Sequence, residues 1–133
     1  MVRVPCTRAG LATAVGAALL VTGCSSAERP EVERVATTFE DPAEDPEVRC
    51  DLLAPATAAK LEQDQQAPCT EAIGQLPLEG GEVRSVEVWG SDAQVRLTGD
   101  TVFLTDTDSG WRVVAAACTP HEDAPYDCEV EGP

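Results

Sequence analysis

The chain has 133 residues, with 9 lysine and arginine residues against 24 aspartate and glutamate residues, and this length suits one domain rather than two. A net charge of −15 excludes a basic surface for nucleic acid or for anionic lipid headgroups. An apolar share of 43%, arranged in regular patterns, excludes disorder along the whole chain.

The N-terminal segment, residues 1–23, predicts a signal peptide. Arg3 and Arg8 provide a positively charged start, and an apolar run follows over residues 11–21. This run is too short to span a membrane as a helix, but it has the length of the apolar part of a signal peptide. Its removal leaves 7 basic and 24 acidic residues, a net charge of −17.

The end of this segment resembles the lipobox of bacterial lipoproteins, because residues 20–24 read Leu-Val-Thr-Gly-Cys. In that family the cysteine thiol receives a diacylglyceryl group, and the cysteine then becomes the mature N-terminus. The resemblance implies that Cys24 is lipidated and that the protein lies on the outer face of the bacterial cytoplasmic membrane. An ordinary secretory signal with an incidental cysteine is the alternative. Residues 24–30 are then a short tether, and residues 31–131 form the single globular domain.

Six cysteines constrain the fold further. Cys6 leaves with the signal peptide, and Cys24 is assigned to the lipid. Export places the other four where disulfides form and persist, and four cysteines allow three pairings. Short loops favour the pairs Cys50–Cys69 and Cys118–Cys128, and the other pairings remain open. A four-cysteine metal site is disfavoured, because the sequence has no Cys-x-x-Cys pair and exported thiols oxidise.

The first half of the domain predicts helices. Residues at positions i, i+3, i+4 and i+7 form one apolar face of a first helix, with Pro30 in its first turn and Asp41-Pro42 after its end. The residues of this face are Val32, Val35, Ala36 and Phe39.

Three more helices are predicted after it. The second covers residues 47–53, with Asp45 as N-cap and Pro46 in the first turn; the third follows Pro55; the fourth begins near Cys69. The apolar residues expected to face the core are Val48, Leu52 and Leu53 in the second, Ala58 and Leu61 in the third, and Cys69, Ala72, Ile73 and Leu76 in the fourth.

From residue 82 onward the apolar residues alternate, which predicts strands. Four strands are expected, around Val86, over residues 93–97, over 101–105 and over 111–118, and Gly99-Asp100 is a hairpin signal. The last strand is apolar on both faces, with Trp111, Val113 and Ala115 on one of them, so it should be central or covered. The predicted fold is α+β, with three to four N-terminal helices packed on a bent four-stranded antiparallel sheet and two disulfides.

Three segments carry a resemblance to a known group: residues 50–57 (CDLLAPAT), 110–116 (GWRVVAA) and 125–130 (PYDCEV). They resemble small actinobacterial lipoproteins of unassigned function with a nuclear-transport-factor-2-like, or cystatin-like cone, domain. The resemblance covers residues 31–131 and implies a fold and a location. That superfamily includes isomerases, dehydratases, transport adaptors and binding modules, so it does not imply one activity.

Three segments contain residue types found in catalytic or metal-binding sites, but a structural role is favoured for each of them. His121, the only histidine, could act as a base beside Asp123 or Asp127, but a Pro-rich loop predicts an exposed histidine among acids. Residues 106–110 begin like a calcium loop but lack its later ligands, so a hairpin turn is favoured. The acidic segment 40–47 contains two prolines and predicts a solvated connector. We therefore expect no catalytic residue, no metal and no cofactor.

One side of the sheet carries a candidate ligand pocket. Four charged residues occupy strand positions between the apolar residues, so they could share one face beside Trp89 or Trp111. There they would orient a small anionic ligand. These residues are Arg84, Glu87, Arg96 and Arg112. Cross-strand ion pairs on a solvated face are the alternative explanation.

Two functions follow from these patterns. The favoured one is a membrane-anchored lipoprotein with a small non-catalytic domain that binds an envelope protein or a small molecule, and not nucleic acid. The alternative is a small isomerase-like or hydrolase-like enzyme that uses the cone as its pocket. The enzyme would require an internal aspartate or glutamate with a raised pKa facing a cavity.

Overall fold

A computed structural model of the chain describes residues 21–123 and 125–133, with side chains from Ser26 onward. The charged start of the predicted signal peptide and most of its apolar run lie outside the described residues. None of the described helices is long and apolar enough to cross a membrane. The helices are α1 (Val21–Glu40), α2 (Pro46–Asp51), α3 (Pro55–Gln65) and α4 (Cys69–Ala72), which continues as a 3₁₀ turn (Ile73–Gln75).

Helix α1 has the predicted apolar face, and the four residues of that face are 0–1% exposed. The predicted start at Pro30 is wrong, because the helix already includes Val21 and carries Pro30 in its interior. Pro30 is exposed, where water can replace the helical hydrogen bond that a proline cannot donate. Residues 24–30, expected to be a short tether, are helical in the structure.

Helix α2 has its predicted cap, because the Asp45 side chain accepts a hydrogen bond of 2.8 Å from the Glu47 backbone N–H. The expected apolar face is wrong at Val48, which is 42% exposed, whereas Arg49 is 5% exposed. Arg49 turns inward because its Nε donates a 2.7 Å hydrogen bond to the Phe39 carbonyl at the end of α1. This contact sets the rotation of α2 against the core.

The sheet has five strands in the order β1-β2-β3-β4-β5, with antiparallel pairing throughout. The prediction of four strands is wrong, because residues 126–131 pair with the preceding strand as a fifth. Tyr126, Cys128 and Val130 do alternate with acidic residues in this strand, but the strand is short and only Val130 is fully buried. The strands are β1 (Val83–Trp89), β2 (Asp92–Leu97), β3 (Thr101–Thr107), β4 (Gly110–Pro120) and β5 (Tyr126–Glu131).

Strand β4 lies between β3 and β5, as its two apolar faces predict. A register shift separates the pair Leu104–Val113 from the pair Phe103–Ala115. The extra residue, Val114, places Ala115 on the sheet face opposite to that of Val113. The next residue of β4 in the core is Ala116. The expectation that Ala115 shares a face with Val113 is therefore wrong.

The helices cover one face of the sheet, and the core lies between the two layers. Residues of α1, α3 and α4 pack there against alternate residues of all five strands. The segment after α2 extends the sheet, because Leu53 forms a parallel bridge with Val113 at the edge that β5 does not reach. On the other face, the Tyr126 ring lies 5.0 Å from the Phe103 ring, and its hydroxyl accepts a 3.2 Å hydrogen bond from the Gln94 amide.

Candidate functional site

The sheet face opposite the helices, called the outer face below, carries part of the predicted pocket. Glu87 pairs with Gln94, and Trp89 pairs with Asp92. Both Glu87 and Trp89 lie on the face of β1 opposite to the core residue Val86. Trp89 is 49% exposed. The other two predicted residues on these strands are Arg96, which pairs with Ser85, and Arg84, which falls at the register shift in β1.

Two predicted pocket residues lie elsewhere. Trp111 is 2% exposed in the core, on the helix side of the sheet. Arg112 lines a groove of about 500 Å³ between the β3–β4 turn and helices α2 and α3, together with Cys50 and Asp108. Its Nη1 donates a 2.9 Å hydrogen bond to the Trp111 carbonyl. The structure therefore does not bring the six predicted residues together into one pocket.

The loop histidine is exposed. His121 Nε2 lies 3.6 Å from Asp127 Oδ2, and the two side chains are 50% and 80% exposed. An exposed pair of this kind neither excludes water nor encloses a substrate, so it does not form an acid–base site. The other residue weighed as its partner, Asp123, is also exposed.

The two acidic segments that could have bound cations form local turns. Thr107 Oγ1 donates to the Gly110 carbonyl and accepts from the Ser109 N–H, which closes the β3–β4 hairpin. Asp41 Oδ1 accepts from the Ala43 N–H in the connector after α1. Within residues 21–123 and 125–133, no group of three or more histidine, cysteine, aspartate or glutamate residues could hold a metal ion.

Both disulfides that short loops favour are present. Cys50–Cys69 joins α2 to α4 across 6.1 Å between Cα atoms, and Cys118–Cys128 joins paired positions of β4 and β5 across 4.0 Å. The first links two helices that pack on the same core, and the second closes the long hairpin whose tip contains His121.

A buried cluster of three charged residues, which the sequence did not predict, lies at the end of α1. The prediction of a solvated connector over residues 40–47 is wrong at Glu40, which ends the helix and is buried. Glu40, Arg49 and Asp100 are 3%, 5% and 7% exposed. Asp100 accepts three backbone hydrogen bonds, from Thr101 at 2.6 Å, Ala117 at 2.6 Å and Cys118 at 2.8 Å. The bonds from Ala117 and Cys118 tie the β2–β3 turn to β4.

Glu40 lies beside Asp100. Its Oε2 accepts a 3.0 Å hydrogen bond from the Gly80 N–H. Burial, followed by the neighbouring carboxyl group of Asp100, raises the pKa of Glu40 from 4.5 to about 8. The other carboxyl oxygen of Glu40, Oε1, is buried and has no hydrogen-bond partner.

Gly80 and Arg49 complete the surroundings of Glu40. A Cβ at position 80 would lie 2.6 Å from the Glu40 Cβ, so only glycine allows the Gly80 N–H to approach the carboxyl group. Burial lowers the pKa of Arg49 from its ordinary value, while the negative charges of Glu40 and Asp41 act in the opposite direction. The guanidinium also lies 5.8 Å from the centre of the Phe39 ring.

A groove of about 580 Å³ lies beside Glu40 and is also lined by Thr37, Asp41, Leu78 and Glu79. The carboxyl oxygens of Glu40 are not available to a ligand in this groove, because Oε2 accepts a hydrogen bond from the Gly80 N–H and Oε1 is buried. A catalytic acid must reach its substrate, so we assign the Glu40–Asp100 pair a structural role.

One sequence signal pointed to this cluster. Glu40 follows Ala36 by four positions, so it continues the apolar stripe of α1 as a charged residue. Its neighbour Asp100 was predicted only as part of a hairpin turn, and no local sequence pattern indicates that Glu40 and Asp100 lie close together.

A scan against protein-family models, a search of curated proteins and a search of solved structures found no match for this chain.

Proposed function

We propose that the protein is an exported lipoprotein, anchored through Cys24 to the outer face of the cytoplasmic membrane, with a small non-catalytic binding domain. The observation that carries this proposal is the sequence of residues 20–24, which ends an apolar run directly before the domain. The two disulfides support it, because disulfides persist in oxidising compartments and are rare in the cytosol.

The structure bears on how the anchor would hold the domain. Cys24 lies in α1, and the same helix contacts the core from Val32 onward. Eight residues of helix rise about 12 Å. An anchored domain would therefore be held close to the bilayer by a helix rather than by an extended linker.

The geometry favours a binding role over the enzyme alternative. The raised pKa of Glu40, beside a groove, is the one observation that favours catalysis. Its oxygens are occupied or buried, and His121 lies on an exposed hairpin tip. A nuclear-transport-factor-2-like domain is part of the proposal, and the order of helices followed by an antiparallel sheet supports it.

Lipidation can be tested by replacing Cys24. Cells producing the wild-type chain should incorporate an alkyne-labelled palmitate into the protein, and the mature N-terminal peptide should carry the added mass of the lipid. Cys24→Ala should lose the label and either leave the membrane fraction or accumulate as the uncleaved precursor.

Cys6→Ala is the matched control, because Cys6 lies upstream in the predicted signal peptide. This variant should keep both the label and the membrane location. A Cys24→Ala protein that is fully processed and still retained by the membrane would contradict the proposal.

A further inference from the structure

Strand β1 leaves one edge of the sheet open. It lies at the end of the strand order and pairs only with β2, and the described part of the chain supplies no strand for its other side. Backbone groups in an antiparallel ladder alternate between the neighbouring strand and the opposite direction. Trp89 and Asp92 flank a two-residue turn and pair with each other, so the N–H of Trp89 points towards β2. Because the direction alternates along the strand, the N–H groups of Val86 and Val88 point outward. Such a row can pair with an added strand.

The outer face beside this edge carries an exposed aromatic ring between carboxylates. Trp89 is 49% exposed, Glu87 lies two residues before it on the same face, and Asp92 pairs directly with it. Tyr126 contacts Gln94 and Phe103, so the hairpin tip covers the middle of the outer face and leaves the β1 side open.

Charge identifies the kind of chain that fits this edge. The mature chain carries 7 basic and 24 acidic residues, so a second copy, nucleic acid and anionic lipid are all repelled. A cationic side chain is attracted both by the carboxylates and by the face of the tryptophan ring. Arg96 pairs with Ser85 at the other end of β1, so the basic residues of a bound segment belong at the Trp89 end.

We propose that the open edge of β1 docks an extended basic segment of a partner protein, which adds a strand and places arginine or lysine side chains against Trp89, Glu87 and Asp92. This inference rests on the proposed function as a tethered binding domain, and it specifies the surface and the partner class. Backbone pairing provides the geometry, and the Trp89 end provides the selection for positive charge.

The test uses the mature lipoprotein in a nonionic detergent and three seven-residue peptides with blocked ends. The first alternates arginine and valine, the second alternates glutamate and valine, and the third is the basic peptide with a central proline that prevents strand pairing. Acrylamide quenching of fluorescence reports on Trp89, because the other tryptophan, Trp111, is buried. Residue-resolved hydrogen exchange reports on the amides of Val86 and Val88.

We expect only the regular basic peptide to shield Trp89 and to slow exchange at Val86 and Val88. Trp89→Ala should weaken its binding at least tenfold, as the loss of an aromatic anchor does. Glu87→Gln with Asp92→Asn should weaken it about fivefold.

The matched control is Glu71→Gln with Glu129→Gln, which changes the net charge equally at two exposed positions away from β1. This variant should change the affinity by less than about twofold, since more distant exposed charges are largely screened by salt.

Four results would overturn the inference: equal binding of the acidic or proline peptide, equal weakening by the two double variants, unchanged exchange at Val86 and Val88, or a dimer that Trp89→Ala abolishes. The last result would assign the edge to a second copy. Peptide binding and palmitate labelling at Cys24 are independent measurements. An unlabelled protein that binds the peptide contradicts only the anchor, and a labelled protein that fails to bind contradicts only the docking edge.

Discussion

Replacing Glu40 by glutamine separates the ionisation of this buried side chain from its packing. The two side chains have nearly the same shape. The glutamine carbonyl oxygen can accept from the Gly80 N–H as Glu40 Oε2 does, and its amide can donate as a protonated carboxyl group can. Glutamine does not ionise. Any pH dependence of the difference in unfolding free energy between the wild type and Glu40→Gln is therefore caused by the ionisation of Glu40.

The expected size follows from the shift of the pKa. The pKa of Glu40 is raised from 4.5 to about 8, mainly by burial. A group with a raised pKa in the folded state contributes stability that is fully present below the unfolded pKa and is lost as the pH rises through the folded pKa. At about 1.4 kcal/mol per pKa unit, we expect the wild type to lose about 4 kcal/mol relative to Glu40→Gln between pH 5 and pH 9.

The assay is urea unfolding at pH 5, 7 and 9 under non-reducing conditions, followed by the fluorescence of the buried Trp111. Glu71→Gln is the matched control at an exposed position, and its effect on stability should be small. A stability difference for Glu40→Gln that stays constant between pH 5 and pH 9 would refute the argument.

Three further changes affect stability, and urea unfolding at pH 7 measures each of them. Replacing both Cys50 and Cys69 by alanine should cost about 3 kcal/mol, because the disulfide closes a 19-residue separation in the unfolded chain; an unchanged midpoint would contradict this. Asp45→Ala should cost about 1 kcal/mol through loss of the α2 cap, whereas Asp45→Asn should keep most of it. Ala117→Gly should stabilise the fold by about 0.5–1 kcal/mol, because Ala117 has a φ of 54°, and a loss of stability there would show that its methyl group is needed for packing.

Features that depend on short-range patterns could be predicted from the amino-acid sequence alone. The apolar spacing from Val32 to Phe39 located the buried face of α1, because residues three and four apart share one side of a helix. Asp45 and Pro46 marked the start of α2 through local capping. Two cysteine pairs with short loops matched the disulfides, and the alternation of apolar residues located the first four strands.

Only the tertiary structure decided which side chains meet across the chain. Glu40 and Asp100 lie 60 positions apart, and their shared burial depends on α1 crossing the end of the β2–β3 turn. Arg49 turns inward because the Phe39 carbonyl lies above it. The register shift in β4 reverses the face of Ala115, and strand β5 forms because β4 offers it an edge.

The two tryptophans show the same division. Trp89 lies in a segment of alternating apolar residues and Trp111 in a segment that is apolar on both faces, and both were candidates for a pocket wall. Trp89 ends the edge strand on the outer face, and Trp111 begins an inner strand under the helices. Periodicity reports that a strand has two different faces, but only packing against the helices decides which face is buried, because that choice minimises the apolar surface left in water.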